Sequence, residues 1–459
     1  MATIKKRGKS YLFRCYDGYD TQGRQIERTM TWTPPQGMSE KKAEKEAAHQ
    51  AALFEEKVRN GQIASGSRVK FQDFAERWFS DYAEAQLRPT TIARYKALTE
   101  RIYPAIGHLY IDKIKPTHLM AFYKELSNTK IVGKAHCIID LKQYLKEQKI
   151  TKTRFSEESG VSLTTLTAIF RGKNVEPVIA QKICSALNQS YNSFFETVNE
   201  ERTLSSKTIQ HYHRLISSIM QKAVKWQVIV ANPCERVDPP KVKNANIEYL
   251  DDVQSIHLLE LLEEQPIQYR CAVEALLFTG MRRGELLGLE WSDIDFENHI
   301  INIQRSSLYL ADRGIFEDDT KNRSSRRVIK VPTSAMASLR RLKAWQAQQS
   351  LAMGTAWQKS DRVFTTFEGA PMHPDTLSGW FHDFIQKTDL PQIHLHSLRH
   401  TNATLNIANG VSVTTVAGQL GHANASTTTK IYAHAIQAAQ AAAADMMDDL
   451  LTQKRKVSG

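Results

Sequence analysis

Four residues near the C-terminal end of the chain have types and spacings that suit chemistry on a phosphate. They are His396, Arg399, His422 and Tyr432, in the stretches His396-Ser397-Leu398-Arg399, Leu420-Gly421-His422 and Ile431-Tyr432-Ala433-His434. A guanidinium is a planar fork of donors that fits phosphate oxygens. Imidazoles exchange protons near neutral pH. A phenol becomes a covalent nucleophile once its proton, with a free pKa of ~10, is taken by a neighbour. Together they could hold a phosphate while an oxygen attacks it. His396 and Arg399 are three apart, so on a helix they share a face.

Two upstream segments extend the pattern. Thr279-Gly280-Met281-Arg282-Arg283-Gly284-Glu285-Leu286 offers another arginine, and Asp319-Thr320-Lys321-Asn322 with Ser324-Ser325-Arg326-Arg327 offers a lysine in a hairpin-like setting. In this order the segments resemble the tyrosine recombinases, or phage integrase family. The resemblance implies a catalytic set of Arg282, Lys321, His396, Arg399, His422 and Tyr432. Tyr432 is then the nucleophile and the two arginines clamp the phosphate. Lys321 is the general acid, His396 the general base, and His422 a phosphate donor. No cofactor and no metal are implied. Glu285 reads as a support for the fold or for an arginine. His394, His400 and His434 read as structural, and Arg283, Arg326 and Arg327 as surface or DNA-backbone contacts.

The elements that must position these residues read as mainly helical with small β elements, an α+β chain. A catalytic domain is expected over 250–451, opening on a helix capped by Asp251 or Asp252. Its second helix stops at Thr279-Gly280. Strands at Ile300–Gln304 and Arg327–Val331 flank the lysine, and an Ala-rich helix over 435–451 precedes a basic tail at 452–459.

The preceding 249 residues divide into smaller pieces. Residues 1–63 show strand-like Tyr11–Tyr16 and Gln25–Trp32, then a helix capped by Ser39. Lys5, Lys6, Arg7, Arg14, Arg24 and Arg28 crowd the strands, and the unit is similar to an integrase arm-binding domain. Phe71, Phe74, Trp78 and Tyr82 form a helical stripe that reads as core. A helical core-binding domain is expected over 68–127 and 203–231, interrupted by an insertion at 128–202. In the insertion Ile138–Leu145 reads as helical. Phe155 to Phe170, with Gly160 at the turn, has helix-turn-helix rhythm and resembles phage repressors. Residues 232–249 read as a linker.

Composition fits this outline. A chain of 459 residues holds roughly two to four domains, and its net charge of +12 suits a polyanionic partner. The five scattered cysteines never form a CxxC spacing, which argues against a zinc site or a disulfide framework. With no long apolar run, a cytoplasmic protein without membrane contact is expected. The implied partners are double-stranded DNA at attachment sites, further copies of the chain in a synaptic tetramer, and an excisionase or host DNA-bending protein. The expected activity is site-specific integration and excision of a mobile element. The alternatives are DNA relaxation of the type IB topoisomerase kind and a non-catalytic DNA-binding regulator.

Overall fold

Alternation of apolar residues builds the first sheet. Tyr11, Phe13 and Cys15 on the strand Ser10–Tyr19 turn to one face and are buried. They meet Ala43, Ala47, Ala51, Phe54 and Val58, spaced along one side of the helix Glu40–Arg59. In this computed structural model the described residues are 2–19, 22–59, 69–129, 133–198, 203–242, 248–319, 326–422 and 424–433, with single positions between 436 and 447. Lys321, the linker 62–67, most of the stretch 435–451 and the tail lie outside them. The chain forms two units, Met1–Lys243 and Asn244–Gly459.

In the first unit Ser10–Tyr19 is the central strand, between Gln25–Trp32 and a strand Thr3–Arg7 that sequence periodicity does not suggest. All five residues of Thr3–Arg7 are exposed, so no apolar alternation marks it. It forms by register, Thr3 opposite Arg14 through Arg7 opposite Ser10, with Gly8 at φ 60° in the connecting turn. Register also sorts the cations, because paired residues share a face. Lys5, Arg7 and Arg14 share the face away from the helix, whereas Lys6 and Arg28 align with buried Tyr11 and Cys15.

The aromatic stripe is core, as expected. Phe71–Trp78 continues through a π-helical turn at Phe79–Ala83 and packs with Pro89–Ile102, Pro116–Asn128 and Ser206–Lys225. Proline in the first turn of two of these helices gives up no hydrogen bond there.

The insertion has its own core, including Leu145, Phe155, Leu166, Ile183 and Phe194. Its stem differs from the sequence expectation. Lys134–Cys137 pairs antiparallel with Phe195–Val198, and the first helix begins only at Leu141. Asp140 sets that start by accepting from the Gln143 N–H, so Ile138 and Ile139 stay outside the helix. The helix-turn-helix is as expected, Lys152–Ser159 and Leu163–Phe170 with Gly160 at φ 63°.

The second unit contains helices Asp252–Leu261, Ile267–Thr279, Thr333–Met353, Pro374–Ile385, Ser397–Ala408 and Val413–Leu420, with shorter ones at Arg283–Leu287 and Ala425–Ile431. Asp251 is the first cap. Ile300–Ile303 lies between Arg327–Lys330 and Ile294–Asp295. A hairpin of Arg305–Leu310 and Gly314–Asp319, absent from the sequence expectation, leads into the lysine segment. Ion pairs fix it: Arg305 to Asp293 at 2.6 Å and Arg362 to Glu317 at 2.5 Å. No helix among the described residues is long and apolar enough to cross a membrane.

Candidate active site

The helix Ile267–Thr279 stops because Gly280 adopts φ 62°, a left-handed turn that glycine takes without strain. A Cβ at Gly280 would lie 2.7 Å from the Leu420 side chain and 2.8 Å from Asn402 Oδ1, so the site also needs the missing side chain. The freed Gly280 carbonyl accepts from Arg399 Nη1 at 2.7 Å, and the Leu420 carbonyl accepts from Nη2 at 2.7 Å. Two helix ends far apart in sequence thus grip one guanidinium, which is 3% exposed.

Arg282 caps the short helix Arg283–Leu287 and is held by Glu285. The Arg282 backbone N–H donates to Glu285 Oε2 at 2.9 Å and its Nη1 donates to Oε1 at 2.7 Å. Oε2 also accepts from Arg327 Nη2 at 2.8 Å, while Arg327 Nε donates to the Gln419 carbonyl. Burial alone would raise the Glu285 carboxyl. The bond and charge of Arg327, then the backbone and charge of Arg282, bring it below its ordinary value.

Arg327 therefore corrects the sequence reading. Its side chain is 7% exposed and joins the strand after the lysine segment to the Arg282 segment through Glu285 and to the helix before Gly421-His422 through the Gln419 carbonyl, so it is no surface contact. Alternation was the missed signal, since Arg327 and Ile329 point inward while Val328 is exposed. Arg283 is also engaged, donating to the Pro374 carbonyl and Ser378 Oγ. Arg326 is exposed. In the N-terminal sheet Arg28 is paired with Asp17 at 2.8 Å. Lys6 pairs with Glu40, and Arg14 with Glu27 at 2.9 Å, both at exposed positions.

Tyr432 ends the helix Ala425–Ile431, with its N–H bonded to the Thr428 carbonyl. It is fully buried among Ala403, Ile407, Val416 and Leu420. Its hydroxyl lies 2.9 Å from His400 Nδ1, a residue that sequence reasoning treated as structural. His400 is thus the imidazole in hydrogen-bond contact with the phenol, where the sequence placed His396 as the base. His396 stands one turn earlier, its ring edge-on to His400 at 5.2 Å. The i, i+4 spacing of the two histidines was the available clue. His422 follows left-handed Gly421 and bonds Thr428 Oγ1 through Nδ1 at 2.7 Å.

The electrostatics favour an anion. Arg282, Arg327 and Arg399 gather around the carboxylate of Glu285. Burial, then the neighbouring His396 and Arg399, pushes His400 down to about 4. Burial and then the arginines do the same to His422, and His396 also shifts down. Burial pushes Tyr432 up to about 12, against the opposing pull of Arg399. Neutral imidazoles beside several guanidiniums suit a negative group that would hydrogen-bond to them.

Residues 248–438 match the model of the phage integrase family, and residues 70–127 that of the phage integrase N-terminal SAM-like domain. The chain belongs to the phage integrase family. It is a tyrosine recombinase, a DNA-breaking and -rejoining enzyme. Residues 141–194 of this recombinase match a helix-turn-helix model. A XerC-like tyrosine recombinase of Caldanaerobacter subterraneus subsp. tengcongensis is 29% identical over 54% of this chain and 67% of its own length. The ICEBs1 integrase of Bacillus subtilis is 26% identical over 55% and 68%. A structure of the Tn1549 transposon integrase with transposon right end DNA has the same fold, with TM-score 0.56 and 18% identity. It covers 83% of this recombinase and all of that chain.

Proposed function

We propose that this recombinase integrates and excises a mobile element by moving DNA phosphodiesters onto and off Tyr432. The supporting observation is that Arg282, Arg399, His422 and Tyr432 lie close enough together for their charges to act on one another. Tyr432 Oη attacks the scissile phosphorus, the P–O5′ bond breaks, and a 3′-phosphotyrosyl ester stores the bond energy. Arg282 and Arg399 stabilise the charge that accumulates on the non-bridging oxygens. His422 and His396 donate to the same phosphate. Lys321 gives its proton to the departing 5′ oxygen, a role consistent with its segment running between Glu317 and Arg327, both ion-paired. Reversal onto another strand completes the exchange without nucleotide or metal.

The substrate is double-stranded DNA at attachment sites, and the working assembly is a tetramer of this chain on two duplexes. An excisionase or host bending protein then sets direction. The outer face of the N-terminal sheet, with Lys5, Arg7 and Arg14, is suited to DNA distant from the crossover. The element reading is supported by the likeness to the ICEBs1 integrase and to the transposase from transposon Tn916. The test is recombination between two plasmids carrying the element's junctions, in excess EDTA without nucleotide. Joined products support the proposal; a strict magnesium requirement for strand cleavage would contradict it.

A further inference from the structure

We propose that His400 is the general base for Tyr432, with Nδ1 taking the phenolic proton as Oη attacks phosphorus and returning it when the strand is rejoined. The inference rests on Tyr432 being the nucleophile. A general base must lie within hydrogen-bond reach of the proton it removes. Nδ1 of His400 is 2.9 Å from the phenolic oxygen, and the rings are tilted by 55° with centroids 5.8 Å apart. With the hydroxyl as donor, the imidazole is the tautomer with its proton on Nε2. The contact spans thirty-two positions, so the fold makes it rather than chain proximity.

The helix Ser397–Ala408 divides the work. Arg399 faces the carbonyls of Gly280 and Leu420, where its remaining N–H groups can serve the phosphate. His400, the next residue, turns to the phenol. The groups facing it are His396 and Arg399 from its own helix, His422 beyond Leu420, and Tyr432. Burial, with His396 and the Arg399 guanidinium beside it, keeps its imidazole neutral and able to accept. They also oppose formation of the imidazolium until an anion enters. A phosphate beside Arg399 and Arg282 supplies that anion, so the base gains strength when the substrate is seated. In the step, the Oη–H bond breaks and Nδ1–H forms; Oη–P forms and P–O5′ breaks; O5′ takes a proton from Lys321. No electrons are gained or lost, and rejoining runs the transfers backward.

The experiment measures single-turnover adduct formation by the full chain on a nicked suicide duplex made from the element's junction. His400→Gln and His396→Gln are compared, each with Tyr432 as such or replaced by an electron-poor trifluorotyrosine whose phenol ionises readily. Gel shift checks that DNA binding persists. His400→Gln is expected to slow the adduct about 100-fold or more, the usual scale of lost general-base catalysis. The fluorotyrosine should recover about 10-fold of this in His400→Gln and leave the deficit of His396→Gln unchanged, since only a missing base is replaced by an acidic phenol. Normal rates in His400→Gln, or equal recovery in both variants, would overturn the assignment. Should His400→Gln not fold, the pH–rate profile of the parent decides. An acid limb that stays in place with fluorotyrosine belongs to the base; one that moves with the phenol overturns the proposal. Absence of any adduct in the parent would instead remove Tyr432 as nucleophile.

Discussion

The helix-turn-helix insertion and the catalytic pocket are built by opposite means. In the insertion short-range bonds start the first three helices: Asp140, Thr151 and Ser162 each accept from the N–H three residues on, and Gly160 turns the chain. In the pocket the deciding bonds join distant segments. Arg399 reaches Gly280 across 119 positions, Asn402 reaches Leu277 across 125, and the Leu250 N–H reaches Thr401 across 151. The helices of the first region start by local rules, with only its stem closed at long range, whereas the second region exists only when distant segments have folded together. Damage should therefore stay local in the insertion and spread in the pocket.

The largest expected break of that contrast is Arg399→Ala. Losing a positioned donor to a developing oxyanion costs about 3–4 kcal/mol of barrier, so adduct formation should fall by roughly 10²–10³. Single-turnover cleavage measures it, and a loss under tenfold would argue that Arg399 only supports the fold. Next comes Arg327→Ala, which leaves the buried Glu285 carboxylate with Arg282 as its remaining charged partner. Removing one partner of a buried pair costs about 3–5 kcal/mol, read as a lowered denaturation midpoint. The pair also sets a pH dependence. Because the folded carboxyl is depressed, its stabilisation is present above its unfolded pKa of ~4.3 and is lost as pH falls through the folded value. Glu285→Gln should flatten that acid limb.

A smaller change sharpens the comparison by steric means alone. Gly280→Ala must place a Cβ against Leu420 and Asn402 at positive φ, costing about 1–3 kcal/mol and loosening the Arg399 acceptor. Both stability and cleavage should drop. The smallest effect is Ser162→Ala in the insertion. Losing the cap should cost about 1 kcal/mol locally, seen in hydrogen exchange of Leu163–Phe170, while cleavage of core DNA is unchanged. Slowed cleavage would show that the two regions are coupled.

The same contrast explains what could be read beforehand. The aromatic stripe from Phe71, the stop at Gly280 and a cap at Asp251 or Asp252 follow from spacing and turn chemistry, and the structure has the stripe, the stop and the Asp251 cap there. Arg282, His396, Arg399, His422 and Tyr432 were legible as motifs, but not their partners. The strand Thr3–Arg7 lacks apolar alternation because its pairing is set by the neighbouring strand's register. Asp140 stops the first insertion helix short of Ile138, an effect that apolar content alone hides. Arg327 looks like one of several surface cations until Glu285, forty-two positions away, folds against it. His400 looks like a neighbour of Arg399 until the helix turns it to Tyr432.

The most direct measurement is mass spectrometry of the covalent species trapped on a nicked junction duplex. Protease digestion of the adduct is expected to yield one modified peptide containing Tyr432, joined through a phosphate to the 3′ end of the cleaved strand. Tyr432→Phe should still shift the duplex on a native gel and yield no such peptide. A nucleotide attached to any other residue, or an adduct of normal yield from Tyr432→Phe, would contradict the assignment of Tyr432 as nucleophile.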